Sequence, residues 1–159
     1  MYNEEADMYP QVAAWFKDLL AEQFPRHKVA TFDTSRNDLS KFLFEKRLHS
    51  NFPDYQTYEI RVDITGVIQG MKGTVLGFVE CKLGKITLRD LSQLIGYSRV
   101  ANPAVSFIVS PSGITSAINS LFNVRRRYDV LEYGKGHSIT IARWNESTRD
   151  LDRQSLISA

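Results

Sequence analysis

Apolar positions change period several times along the 159 residues, and each change marks an element. Met8, Val12, Trp15, Phe16, Leu19 and Leu20 recur at helical spacing, so residues 4–24 read as an amphipathic helix that ends before Pro25. Residues 28–32 suit a short strand. Residues 39–48 read as a helix with Asp38 or Ser40 as its N-cap. Residues 49–56 contain Asn51, Pro53 and Asp54 and read as a loop. From 57 to 68 the pattern alternates, with Ile60, Val62 and Ile64 on one side and Glu59, Arg61, Asp63 and Thr65 on the other. That is a strand with one buried face.

Gly70-Met71-Lys72-Gly73 is a turn signal, and residues 74–83 form a second strand rich in β-formers. Leu88, Leu91, Ile95 and Val100 place a helix over 86–101, stopped by Asn102-Pro103. Residues 104–109 are a short apolar run of the buried-strand type. Residues 113–122 read as a further helix, and 129–133 with 138–144 as a closing hairpin. The order α, β, α, β, β, α, β, α, β, β predicts an α/β fold with a mixed central β-sheet flanked by helices on both faces. Residues 1–144 are expected to form a single domain, and the polar residues 145–159 a loose C-terminal tail.

The glycine turn fixes a register. With Gly70 facing Gly73, paired residue numbers sum to a constant, so Asp63 falls opposite Glu80 and Arg61 opposite Lys82. Opposed residues share a sheet face with Cβ atoms roughly 4.5–5.5 Å apart, and like charges there destabilise the sheet. A divalent cation between the two carboxylates would reverse that penalty, because magnesium prefers hard oxygen ligands. The run Val75-Leu76-Gly77-Phe78-Val79 leads straight into Glu80, and a core strand rarely carries charge without a function. Glu80 and Lys82 point the same way as Asp63. Cys81 points into the core, where a small buried hydrophobe is the ordinary reading.

Composition narrows the chemistry. One cysteine excludes an internal disulfide framework and a cysteine-based zinc cluster, and three scattered histidines argue against a His-rich metal site. MYNEEADMYP is acidic and lacks the apolar core of a signal peptide, and no apolar run approaches membrane-spanning length. The expectation is an intracellular, cytoplasmic protein without a membrane partner. The net charge of +2 hides an uneven distribution. Residues 1–24 hold five acids and one base; residues 82–127 hold seven bases (Lys82, Lys85, Arg89, Arg99, Arg125, Arg126, Arg127) and one acid, Asp90. A basic surface of this kind attracts a polyanion. Taken alone, the same charges fit solvated helix faces.

Asp63, then Glu80-Cys81-Lys82, then a helix reading Gln93-Leu94-Ile95-Gly96-Tyr97-Ser98-Arg99-Val100-Ala101 together resemble the PD-(D/E)XK nuclease superfamily, and the helix is similar to the QLxxYxxA helix of its RecB-type members. The resemblance covers roughly residues 4–110. It implies a restriction endonuclease-like core and a Mg²⁺-dependent deoxyribonuclease, with Mn²⁺ able to substitute, that hydrolyses phosphodiester bonds in DNA. By the same resemblance Asp63 and Glu80 hold the metal, with the Cys81 backbone carbonyl as a further ligand. Lys82 positions or deprotonates the water and stabilises the charge at the reacting phosphate, and Gln93 corresponds to the superfamily's helical glutamine. The superfamily's first-helix glutamate maps to Glu5 or Glu4, and Glu5 shares the face of Met8, Val12 and Trp15–Phe16. Lys85, Arg89, Tyr97, Arg99 and Arg125–Arg127 are the expected nucleic-acid contacts. A small chain favours a structure-selective, homodimeric or partner-recruited enzyme.

Asp63 is preceded by Val62 where the motif often has proline, whereas Pro53-Asp54 is a literal match. Asp54 is rejected because it sits in a loop and the register gives it no place opposite Glu80. Two alternatives stand beside the nuclease. One is a non-catalytic nucleic-acid-binding or assembly module on the same fold. The other is an unrelated α/β protein in which Glu80 and Lys82 are an ordinary ion pair.

Overall fold

The computed structural model describes residues 1–159. A six-stranded mixed sheet runs in the order β1-β2-β3-β4-β7-β8. Its strands are β1 (Lys28–Asp33), β2 (Ile64–Gly70), β3 (Gly73–Cys81), β4 (Val105–Ser110), β7 (Thr140–Asn145) and β8 (Asp150–Ile157). The β1–β2–β3 part is antiparallel, β3, β4 and β7 are parallel, and β8 returns antiparallel along β7. A two-stranded ribbon of β5 (Glu132–Gly134) and β6 (His137–Ser138) stands apart.

Helices cover both faces. On one lies α1 (Tyr9–Gln23), whose Val12, Phe16 and Leu20 pack with Ile64, Ile68, Val79 and Cys81. On the other lie α2 (Leu39–Glu45), α3 (Leu88–Ala101) and α4 (Ser116–Asn119), around Val67, Leu76, Phe78, Ile108 and Ile141. α1 sits close because Gly66 and Gly77 face each other across β2 and β3. A Cβ at Gly66 would lie 2.5 Å from Leu20, and one at Gly77 2.8 Å from Phe16. No helix is long and apolar enough to cross a membrane.

The glycine turn closes as its sequence implies: Gly70 pairs with Gly73 and Ile64 with Val79. Five expectations are corrected. Residues 57–63 are not strand, although Tyr58, Ile60 and Val62 are buried in alternation. Their carbonyls are used elsewhere: Ile60 accepts from Leu39 N–H, Tyr58 from Ser40 N–H, and Asp63 from Thr34 N–H. Arg61 therefore does not face Lys82 but pairs with Asp38 at 2.8 Å. The helix expected over 113–122 starts only at Ser116, because Ile114 first bridges Ile86 and Thr115 caps the turn. It then widens into a π-turn at Ser120–Val124.

The closing hairpin shrinks to β5–β6, and residues 140–145 instead join β4 as an interior strand buried through Ile141, Ala142 and Trp144. Residues 145–159 are no loose tail, since Asp150–Ile157 is the edge strand β8. One side of an edge strand faces water, which explains its polar sequence.

Candidate active site

The sheet ladder between β2 and β3 ends at Ile64–Val79, and the next position on each side carries a carboxylate. Alternation sends Glu80 to the face of Phe78, while Asp63, just before β2, turns its carboxylate towards Tyr9 and Cys81 N–H. Asp63 and Glu80 are nearly enclosed, at 7% and 8% exposure. Asp63 is firmly placed. Its backbone carbonyl accepts from Thr34 N–H at 2.9 Å, while the Thr34 hydroxyl bonds the Val62 carbonyl and the Thr65 hydroxyl. Its Oδ1 accepts from the Tyr9 hydroxyl and its Oδ2 from Cys81 N–H, both at 2.8 Å.

Lys82 follows at the end of β3, its N–H bonded to the Val109 carbonyl. Its Nζ lies 3.3 Å from Glu80 Oε1 and 3.8 Å from Glu5 Oε1. Glu5 arrives from a 3₁₀ turn, Glu5–Met8, that leads into α1. That segment is fixed by buried Met8 and, further back, by Trp144 Nε1 donating to the Tyr2 hydroxyl at 2.8 Å. Glu4 is exposed, and the structure brings Glu5, not Glu4, to Lys82. Asp54 lies elsewhere, accepting from the Tyr58 hydroxyl at 3.0 Å.

Three crowded carboxyls and one ammonium set the electrostatics. Burial pushes Glu80 up to about 8, and the charge on Asp63 adds to it. Burial also raises Asp63, opposed by the hydrogen bonds from Cys81 and Tyr9. Glu5 is raised by burial and by Asp63, with Lys82 opposing. Burial alone would lower Lys82, but Glu80 and Glu5 outweigh it and hold it as an ammonium. Burial raises the Cys81 thiol well above its ordinary value, which makes it an inert core group.

No three His, Cys, Asp or Glu side chains stand together as a preformed metal cluster. The reason is local: Asp63 faces Tyr9 and Cys81 N–H, and Lys82 lies between Glu80 and Glu5. The donor set nevertheless fits a hard cation. Glu80 Oε2 is buried without any hydrogen-bond partner, which is expensive for an oxygen that could accept. A cation there would satisfy that oxygen and relieve the repulsion between Glu80 and Asp63.

The other sequence candidates are more scattered. Gln93 is exposed on α3, its amide donating to the Tyr97 hydroxyl at 3.1 Å, and no hydrogen bond ties it to the carboxylates. Lys85, Arg89 and Arg125 are exposed. Arg99 reaches the Glu132 carbonyl at 3.5 Å. Arg126 adopts a left-handed backbone with φ 55°. Arg127 is engaged by Asp129 through two bonds of 2.9 Å. The largest surface groove, of ≈ 580 Å³ beside Trp15 and Arg149, contains none of the carboxylate site. Sequence reasoning missed Tyr9; its position four residues after Glu5 puts both on one helical face, which was a usable signal.

No family model matches the chain, and no curated protein matches it. Among solved structures, the MspJI restriction endonuclease in complex with a 27-mer oligonucleotide is similar, with a TM-score of 0.45 and 11% identity. The match covers 89% of this chain and 26% of that one, so the chain spans about a quarter of the length of that relative.

Proposed function

We propose that this chain is a metal-dependent deoxyribonuclease of the PD-(D/E)XK type. The observation that carries the reading is the pair of buried carboxylates at the ends of β2 and β3, Asp63 and Glu80, with Glu80 Oε2 unpartnered and Lys82 Nζ 3.3 Å from Oε1. An ordinary Glu80–Lys82 ion pair would leave no reason to bury a second carboxylate beside it, and like charges so placed weaken a sheet.

Asp63 and Glu80 would hold Mg²⁺ or Mn²⁺, with the Cys81 carbonyl and Glu5 as further donors. Such an ion supplies a Lewis acid for the phosphate and a more acidic water. Tyr9 and Cys81 N–H orient the Asp63 carboxylate. Lys82, kept as an ammonium by Glu80 and Glu5, is suited to stabilising negative charge at the reacting phosphate rather than to taking a proton. Gln93 and the basic residues Lys85, Arg89, Arg99 and Arg125, with Tyr97, would contact DNA around this centre. A homodimer would widen that surface.

Cleavage of linear, nicked and four-way-junction DNA, with Mg²⁺ and with EDTA, tests the reading. Mg²⁺-dependent cleavage that Glu80→Gln abolishes is expected. DNA binding without cleavage, unchanged by Glu80→Gln, would favour the non-catalytic binding module instead.

A further inference from the structure

The edge strand β8 is irregular where it passes β7. Ile141 pairs with Ile157 and Arg143 with Asp152, so a single β7 residue, Ala142, faces residues 153–156 of β8. Irregularities of this kind are over-represented at sheet edges and next to active sites. The bulge is held in place: Arg143 N–H donates to the Ser155 hydroxyl at 2.7 Å, and that hydroxyl donates to the Asp152 carbonyl at 2.6 Å. A cavity of ≈ 360 Å³ opens between the bulge, β7 and the loops that follow β3 and β4.

Its position is set by the parallel strands. Cys81 pairs with Val109 and Ser110 with Arg143, so the cavity lies at the same sheet end as Glu80 and Lys82. It lies two strands away, about 10 Å at ordinary strand spacing. Ile141 packs in the same core layer as Phe78, so alternation puts Arg143 and Glu80 on one sheet face. The intervening loops are tied together, since the Ser110 hydroxyl donates to the Gly84 carbonyl at 2.6 Å and the Ser112 hydroxyl to the Leu83 carbonyl at 2.7 Å.

The lining has one electrostatic sign. Among its 12 residues are Lys85 and Arg143 and no acid, and neither cation makes an ion pair. The Arg143 guanidinium lies along the loop at Gly113, where a Cβ would stand 3.8 Å from its Nε and where φ is +78°. Exposed Leu156 and half-buried Ile114 give an apolar wall. Asn123 and Gln154 add amides that both donate and accept. A ligand that matches is an anion carrying a flat, hydrogen-bonding, weakly polar body. The volume is at the small end of ligand cavities, roughly 300–1,000 Å³, which suits one nucleotide and not a duplex.

We propose that this cavity is a subsite for one unstacked nucleotide of the DNA, with its phosphate against Lys85 and Arg143 and its base against Leu156 and Ile114. The proposal rests on the DNA-binding part of the reading above. The nucleotide has two possible sources: an unpaired strand end, or a base displaced from within a duplex.

Fluorescence anisotropy in EDTA separates them, using a blunt duplex, the same duplex with a short single-stranded overhang, and the same duplex with a single-nucleotide bulge. The wild type is expected to bind one of the unpaired forms about tenfold more tightly than the blunt form, as one added charge-assisted contact allows. Overhang preference assigns a strand end, and bulge preference a displaced base. Arg143→Gln and Lys85→Gln, both at exposed side chains and checked for folding by melting, should remove most of that preference. Equal binding of all three DNAs by the wild type, or an unaltered preference in both variants, overturns the proposal. Cleavage in Mg²⁺ is scored separately. Cleavage without preference defeats the subsite alone; preference without cleavage of any DNA supports the subsite and defeats the nuclease.

Discussion

Glu80→Gln keeps the side-chain volume and removes the most perturbed titration in the site. A glutamate ordinarily titrates near 4.5, and Glu80 in the fold is pushed up to about 8. Between those values the folded metal-free protein holds a proton that the unfolded chain has released, so its stability falls as pH rises through the window. The slope approaches about 1.4 kcal/mol per pH unit, and from about pH 5 to about pH 8 the loss from this one group is on the order of 3–4 kcal/mol. Asp63 and Glu5, also raised, add losses of the same sign. Lys82, raised from 10.5, changes stability only at more alkaline pH.

Urea denaturation in EDTA at stepped pH should therefore show the wild type weakening towards pH 8. Glu80→Gln should lose much of that dependence and end up the more stable protein at the alkaline end. Saturating Mg²⁺ should flatten the wild-type curve, because it favours the ionised carboxylates. A wild-type curve that is level or rises over the window, or a variant curve parallel to it, would refute the claim that Glu80 is a strained, buried acid.

Three further outcomes follow from the same geometry. Lys82→Met should fold and bind DNA while cleaving on the order of 10²–10³ more slowly in single-turnover assays, the usual loss for one transition-state contact; an unchanged rate would make Lys82 only an ion-pair partner. Tyr9→Phe removes the hydroxyl that orients Asp63 Oδ1, so it should destabilise by about 1–3 kcal/mol in urea titrations and weaken the response to Mg²⁺; a neutral result would mean that Asp63 is held by its backbone alone. Glu5→Gln should reduce cleavage and Glu4→Gln should not, since only Glu5 reaches Lys82; the opposite order would transfer the role to Glu4.

The placement of the two carboxylates was legible because it depends on local order. A glycine-bounded turn sets one register, and that register places Asp63 and Glu80 at adjoining strand ends whatever the rest of the chain does. Residues 57–63 show where alternation misleads: Tyr58, Ile60 and Val62 alternate inward, but their backbone serves the start of α2, and burial periodicity does not reveal which partner a carbonyl has. β7 was misassigned for a related reason, as a parallel neighbour distant in sequence leaves no turn signal. β8 was hidden by its polar outer side and its bulge. Tyr9 was overlooked because an aromatic on a buried helix face reads as core, and its hydroxyl shows its purpose only once α1 is laid across the sheet.

The central claim is that Asp63 and Glu80 bind a divalent ion and cleave DNA with it. Calorimetric scans of the wild type and Asp63→Asn, in EDTA and in Mg²⁺ or Mn²⁺ with DNA present, test it most directly when paired with cleavage of that DNA. The asparagine can accept from Cys81 N–H and donate to the Tyr9 hydroxyl, so in EDTA the variant should be as stable as the wild type or more so. Mg²⁺ should raise the melting temperature of the wild type alone, by mass action worth about 2.7 kcal/mol at a hundred times Kd, and only the wild type should cleave. A wild type that neither responds to divalent ions nor cuts DNA would contradict the account.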